Sequence, residues 1–257
     1  MAAELVEKSV RDGVCLLRMN RPEARNALSP ALLQELADGI EAGDSSAEVR
    51  AFVITGGPEV FSAGADISAF AGLTAANYTQ SVNRKCFDRI RNARKPVVAA
   101  VSGFCLGGGC EIVLGADLIL ATDTARFGQP EIRLGIIPGA GGTQLWHERG
   151  GAGIQARAAL LGDPIDGFEA RRLGLVDRIV PAAALEAEAM RTAARIAAQA
   201  PLAIAAAKAA MRARWSAPLM ASLDTEMLLM AGLMSSQDAA EGVRAFQEKR
   251  PARFEGN

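Results

Sequence analysis

The stretch VAAVSGFCLGGGCEIVLGADL, from Val98 to Leu118, reads as a strand, three consecutive glycines and a helix start. Pro96 opens the apolar run VVAAV (97–101), whose small and β-branched residues predict a buried strand. Glycines at a helix start let a ligand approach the backbone N–H groups, and the helix dipole favours negative charge there. Glu111 lies three residues beyond Gly108, about one helical turn, so its carboxylate shares the face above those N–H groups. Its neighbours Cys110, Ile112, Val113 and Leu114 are apolar, and a buried carboxylate is costly unless it is paired or protonated. Taken alone, Glu111 fits a structural role bonded to nearby backbone equally well.

Working outward, the same alternation of apolar runs and helical patterns continues on both sides. ELVEKSV (4–10) and VCLLRM (14–19) flank Arg11-Asp12-Gly13, and Asp-Gly between such runs signals a hairpin. Ser29-Pro30 predicts a capped helix with Leu32, Leu33, Leu36 and Ile40 at helical spacing and a stop at Gly43. AFVIT (51–55) and LILA (118–121) read as buried strands, with a polar helix over 75–92 between them. From about residue 182 the pattern is helical only: 182–199, a helix begun by Pro201, 217–234, and one capped at Ser235 or Ser236. The expectation is an α/β body, residues 1–195, with a helical region at 196–257.

Composition narrows the function classes. The 257 residues are 50% apolar and 22% charged with a net charge of −1, which suits a globular protein with a sizeable core. That balance offers no electrostatic footprint for nucleic acid or an anionic membrane. The uncharged apolar stretch best suited to a membrane span, Pro96 to Cys110, is short of the ~20 residues a spanning helix needs. Cys15, Cys86, Cys105 and Cys110 make neither a disulfide framework nor paired metal knuckles, so a reducing cytoplasm is expected. His147 is the one histidine, without a second at metal-ligand spacing, and no GxSxG is present. Gly151–Ala156 fits GxGxxA but follows LWHERG rather than a strand, so it does not read as a dinucleotide site. Carboxylates and backbone remain.

Two further segments join the first. FSAGADI (61–67) turns from AFVIT through small residues into a short helix with Asp66 at its cap, and FGQPEI (127–132) follows LILA and puts Glu131 in a first turn. Together FSAGADI, VSGFCLGGGCE (101–111) and FGQPEIRLGIIPGAGGTQ (127–144) resemble the enoyl-CoA hydratase/isomerase (crotonase) family. RRLGLVDRIV (171–180) and EGVRAFQEKR (241–250) are similar to its C-terminal segments, and matches run from Asn20-Arg21-Pro22 to Arg250.

The resemblance implies a spiral of ββα turns forming two roughly perpendicular sheets, with a C-terminal helical region that builds a homotrimer or a dimer of trimers. It implies an acyl-CoA thioester substrate, with coenzyme A part of that substrate and no separate cofactor or metal. The family's oxyanion hole maps to the N–H groups of Ala65 and Gly108, and its two glutamates to Glu111 and Glu131. Hydration of a 2-enoyl thioester needs water activated toward C3 and a proton delivered to C2, and two carboxylates can divide those tasks. Glu131 is the expected proton donor and Glu111 the group that orients and activates water. By the same resemblance Ala24, Ala63, Asp66, Ile67 and Ser68 line the adenine and pantetheine channel, Arg25 contacts phosphate, and Gly139 lies on the wall near the water. Phe246 and Lys249 reach a neighbouring subunit's ligand. Many relatives carry Lys where this chain has Ser68, and Arg where it has Leu145-Trp146-His147. The segment from Ala69 to about Asn92, with Phe70, Tyr78 and Phe87, is expected to set acyl specificity. Double-bond isomerisation or another acyl-CoA reaction on the same site, or a non-catalytic RNA-binding protein of this fold, are the alternatives; isomerases usually use one carboxylate and RNA-binding relatives a basic surface.

Overall fold

The hairpin turn forms as its residues demand: Asp12 and Gly13 take φ of 52° and 74° and fold β1 (Val6–Arg11) antiparallel onto β2 (Val14–Met19). The computed structural model of the protein describes residues 4–70, 74–79 and 81–257. Ser29 caps α1 (Pro30–Ser45) by accepting the Leu32 N–H, and α1 returns the chain to β3 (Ala51–Thr55), parallel to β2. The helix runs past the expected stop at Gly43. That glycine is a packing site instead: a Cβ there would stand 2.4 Å from the Phe52 ring.

The helix expected over 75–92 is two, α2 (Ala75–Thr79) and α3 (Val82–Arg91), with Ser81 accepting the Arg84 N–H to start the second. β4 (Val97–Val101) pairs parallel with β3. A further short strand, β5 (Phe104–Leu106), then precedes α4 (Gly108–Leu114). β6 (Leu118–Ala121), β7 (Arg126–Gly128), α5 (Gly142–Gly150), α6 (Ala152–Leu161), β8 (Ile165–Asp166), α7 (Gly167–Arg172) and β9 (Arg178–Ile179) complete the body. The chain ends in α8 (Leu185–Ala197), α9 (Pro201–Ala213), α10 (Leu219–Leu233) and α11 (Gln237–Gln247). No helix of the described residues is long and apolar enough to cross a membrane.

Strand order in the larger sheet is β1-β2-β3-β4-β6-β9, and the smaller sheet is β5-β7-β8. Each turn of the chain leaves the large sheet for the small one. β4 leads into β5, β6 into β7, and β3 into an isolated bridge of Ser62 with Cys105. The central strands β3 and β4 are buried along their whole length, and apolar except at Thr55, because both faces are covered. Phe52 and Ile54 of β3 face the core shared with α1 and α4, whereas Ala51 and Val53 face α8 through Ala189, Ala193 and Ala197. The next helix, α9, is fixed by Lys208, whose buried ammonium pairs with Asp117 at 2.7 Å and donates to the Lys95 carbonyl at 2.6 Å.

Candidate active site

Three crossings between the sheets deliver the candidate groups to one place. At the first, Ser62 Oγ donates to the Asn26 carbonyl at 2.7 Å and accepts the Gly64 N–H at 3.2 Å. Leu28 then donates to the Gly64 carbonyl at 2.8 Å and accepts the Asp66 N–H at 3.2 Å. Ala65 stands between those two bonds in a parallel bridge with Leu28, so alternation of the extended backbone turns its own N–H to the opposite side.

At the second crossing Gly107 takes φ 50° and α4 begins. Gly108 is its first residue, and first-turn N–H groups have no intrahelical acceptor. A Cβ on Gly107 would lie 3.7 Å from the Gly64 Cα, so the segments bearing the Ala65 and Gly108 N–H groups abut. The same Cβ would lie 2.6 Å from Glu131 Oε1, which brings the third crossing to the same point.

The two glutamates are held differently. Glu111 is 4% exposed, and its Oε1 accepts the N–H groups of Ala140 and Gly142, both at 2.7 Å. Burial pushes its carboxyl up, while the Gly142 and Ala140 N–H groups and the Arg91 charge pull against that rise. Glu131, in a short 3-10 turn over Pro130–Leu134, is half-buried. Burial drives its carboxyl up to about 7; its own backbone N–H opposes, and the Glu111 charge adds to the rise. With its amide nitrogen turned to the carboxylate, buried Gln129 donates to both Glu131 oxygens at 3.1 Å.

The remaining expected residues fall into two groups. The Arg25 carbonyl accepts the Ala63 N–H at 3.0 Å, so the Ala24–Arg25 turn lies beside Ala63. Asp66 pairs with Arg21 at 2.7 Å and accepts from the Ser68 N–H and hydroxyl, which leaves its side chain engaged within the loop. Arg25, Ile67 and Ser68 are exposed on that rim, and Gly139 is exposed one residue before Ala140. Phe246 and Lys249 stand apart on and just after α11, with Phe246 85% exposed.

Asn26 and Arg91, which sequence reasoning did not single out, hold this arrangement together with Phe87, which it named only as part of the segment 69–92. Asn26, buried at φ 51°, donates to the carbonyls of Gly56 (2.8 Å), Val60 (3.3 Å) and Phe61 (3.2 Å). Arg91 donates to the Ala140 carbonyl, whose own N–H holds Glu111. Phe87 and Arg91 share a cavity wall with Glu111, and Phe87 lies 3.0 Å from where a Gly108 Cβ would stand. A polar helix at 82–91 signals an exposed face, and only the tertiary fold reveals that Phe87 and Arg91 turn inward. His147 is exposed on α5, and the neighbouring Trp146 fills the core.

A spiral α/β body that brings a glycine-started helix, two carboxylates and abutting N–H groups to one place has the architecture of crotonase-type acyl-thioester enzymes. The chain belongs to the enoyl-CoA hydratase/isomerase family, whose sequence pattern it matches over residues 9–257. It is 41% identical over 250 residues to a probable enoyl-CoA hydratase of Rhizobium meliloti, covering 97% of this chain and 96% of that one. It is 39% identical over 243 residues to the 2,3-dehydroadipyl-CoA hydratase of Escherichia coli, covering 95% of each. Among solved structures, an enoyl-CoA hydratase subunit of Geobacillus kaustophilus superposes with a TM-score of 0.95 at 36% identity, over 99% of both chains.

Proposed function

We propose that this protein adds water to trans-2-enoyl-CoA thioesters to give 3-hydroxyacyl-CoA, in fatty-acid or aromatic-acid breakdown. The observation that carries the reading is the meeting of Glu111 and Glu131 beside Gly107–Gly108, in two different electrostatic settings. Burial raises both carboxyls, but at Glu111 two N–H donors oppose the rise, whereas Glu131 keeps its proton up to about pH 7. Glu111 therefore accepts a proton from water as its oxygen bonds to C3, and Glu131 gives its proton to C2. The C2–C3 double bond becomes single, and the charge that passes through the thioester oxygen is met by the Ala65 and Gly108 N–H groups. Transfer of the new proton from Glu111 back to Glu131 resets the pair, so one water is consumed. Gln129 stabilises Glu131 while it is charged.

Every proton and charge is handled by these groups, so the reaction asks for no cofactor or metal. The rim from Ala24 to Ser68 receives the CoA moiety. Residues 1–195 carry the site and 196–257 form the oligomer contact, with Phe246 and Lys249 serving a neighbouring subunit in a trimer or dimer of trimers. Four buried, unpaired cysteines suit a cytoplasmic protein.

The test follows the ultraviolet band of the enoyl thioester with crotonyl-CoA for wild type, Glu111→Gln and Glu131→Gln. Rapid loss of the band with wild type and a fall of about a hundredfold or more in each variant is the expected result. No loss with wild type on short, long and carboxylated enoyl thioesters, together with migration of the double bond in a 3-enoyl thioester, would replace hydration by isomerisation.

A further inference from the structure

On the hydratase reading the acyl chain extends from the carboxylates toward Gly139, and the Tyr78 side chain stands at that glycine. Gly108 offers its N–H at the start of α4, Glu111 follows one turn on, and the far side of Glu111 is held by Ala140 and Gly142. A thioester with its carbonyl at Gly108 and its C2–C3 bond at the carboxylates therefore runs on toward Gly139. At that point Tyr78 of α2 arrives from another part of the chain. Its hydroxyl oxygen lies 1.8 Å from where a Gly139 Cβ would stand and its Cζ 3.1 Å away, so only glycine admits the phenol. Tyr78 is 40% exposed, with the hydroxyl end of its ring against Gly139. Burial raises the phenol's pKa; the Glu111 charge adds to this, Arg84 opposes it and Glu131 adds again, which places the phenol in the field of both carboxylates.

We propose that the Tyr78 ring closes the acyl end of the site and restricts the enzyme to short enoyl-CoA thioesters. The inference rests on the hydratase reading for the direction in which the acyl chain lies. Its physical basis is burial: each methylene taken from water gains about fourfold in affinity, and a chain stopped by the ring leaves its further methylenes in solvent. Removing the ring opens a path past Gly139 along which those methylenes are covered.

The experiment compares wild type with Tyr78→Ala, Tyr78→Ser and Tyr78→Phe. Calorimetry measures binding of butyryl-CoA and decanoyl-CoA, saturated and therefore unreactive, and the enoyl band reports turnover of crotonyl-CoA and trans-2-decenoyl-CoA. The two truncations should each shift the decanoyl-to-butyryl affinity ratio at least tenfold toward decanoyl, with the same change in kcat/KM ratio. Tyr78→Phe should keep the wild-type ratio, because the ring and not the hydroxyl forms the stop. A ratio within twofold of wild type in both truncations overturns the proposal. So does a Tyr78→Phe ratio shifted as far as the truncations. Failure of the hydratase reading is distinct: wild type would then leave the enoyl band unchanged, while calorimetry still decides whether Tyr78 selects chain length.

Discussion

Glu131 can hold a proton near neutral pH because its carboxyl is taken largely out of water and faces a second carboxylate. In the unfolded chain the same carboxyl has an ordinary pKa of about 4.3. Between that value and about 7 the folded chain binds a proton that the unfolded chain has released. Stability therefore falls as pH rises through this window and reaches its floor above about 7. Glu131→Gln, permanently neutral, should raise the Tm relative to wild type at pH 8 and leave it near wild type at pH 4, as thermal melts followed by circular dichroism would read. Equal Tm differences at both pH values would show that the carboxyl is not perturbed in the fold. The same proton sets the alkaline limb of activity. Because Glu131 must be protonated to donate to C2, kcat/KM should decline above about pH 7, and the residual activity of Glu131→Gln should lack that limb.

The elements around the site depend on residues whose roles come from distant partners. Asn26 joins the turn before Leu28 to the segment after β3, with its side chain donating to three carbonyls while its backbone sits in the left-handed region. Asn26→Ala leaves buried carbonyls without donors and keeps a β-carbon at φ 51° without the polar side chain that eases that conformation, an expected loss of about 2–4 kcal/mol in urea unfolding. Asn26→Gly loses the same bonds without the strain and should be about 1 kcal/mol less damaging. An alanine variant no worse than the glycine one would refute the backbone part of the argument. Nothing in the local sequence Arg25-Asn26-Ala27 announces this role. By contrast, the hairpin at Asp12-Gly13, the caps at Ser29 and Ser236, and the strands 51–55, 97–101 and 118–121 are legible because turn chemistry and apolar runs act locally. Strands β5, β7 and β8 are two or three residues long, too short for periodicity, and exist through pairings across the chain. Gly43 looks like a helix end until the Phe52 ring beneath it is known. Glu111 and Glu131 are visible in their motifs, but Tyr78, Phe87 and Arg91 enter the site only through tertiary contacts.

On the scale of the whole molecule, the C-terminal helices leave apolar surface that the single chain does not bury. α10 packs against α9, yet its Met227 and Leu228 are 61% and 66% exposed, and Met220, Leu223 and Met230 are exposed beside them. A contiguous apolar patch of that kind marks an interaction surface on a folded protein. A second copy of this chain is the partner the family resemblance supplies. The double change Met227→Asp and Leu228→Asp puts two charges on that surface without touching the core, so the monomer fold should survive. Sedimentation should then show wild type as an assembly of at least three 26.8 kDa chains and the variant as a single chain. If Phe246 and Lys249 complete a neighbour's CoA site, the monomeric variant should also raise the KM for crotonyl-CoA by about tenfold, the scale of losing one buried anchor, with kcat falling less. Unchanged sedimentation would mean that this face is not the contact. A monomer with wild-type KM would keep the contact but remove Phe246 and Lys249 from the neighbouring site, leaving each chain's site complete in itself.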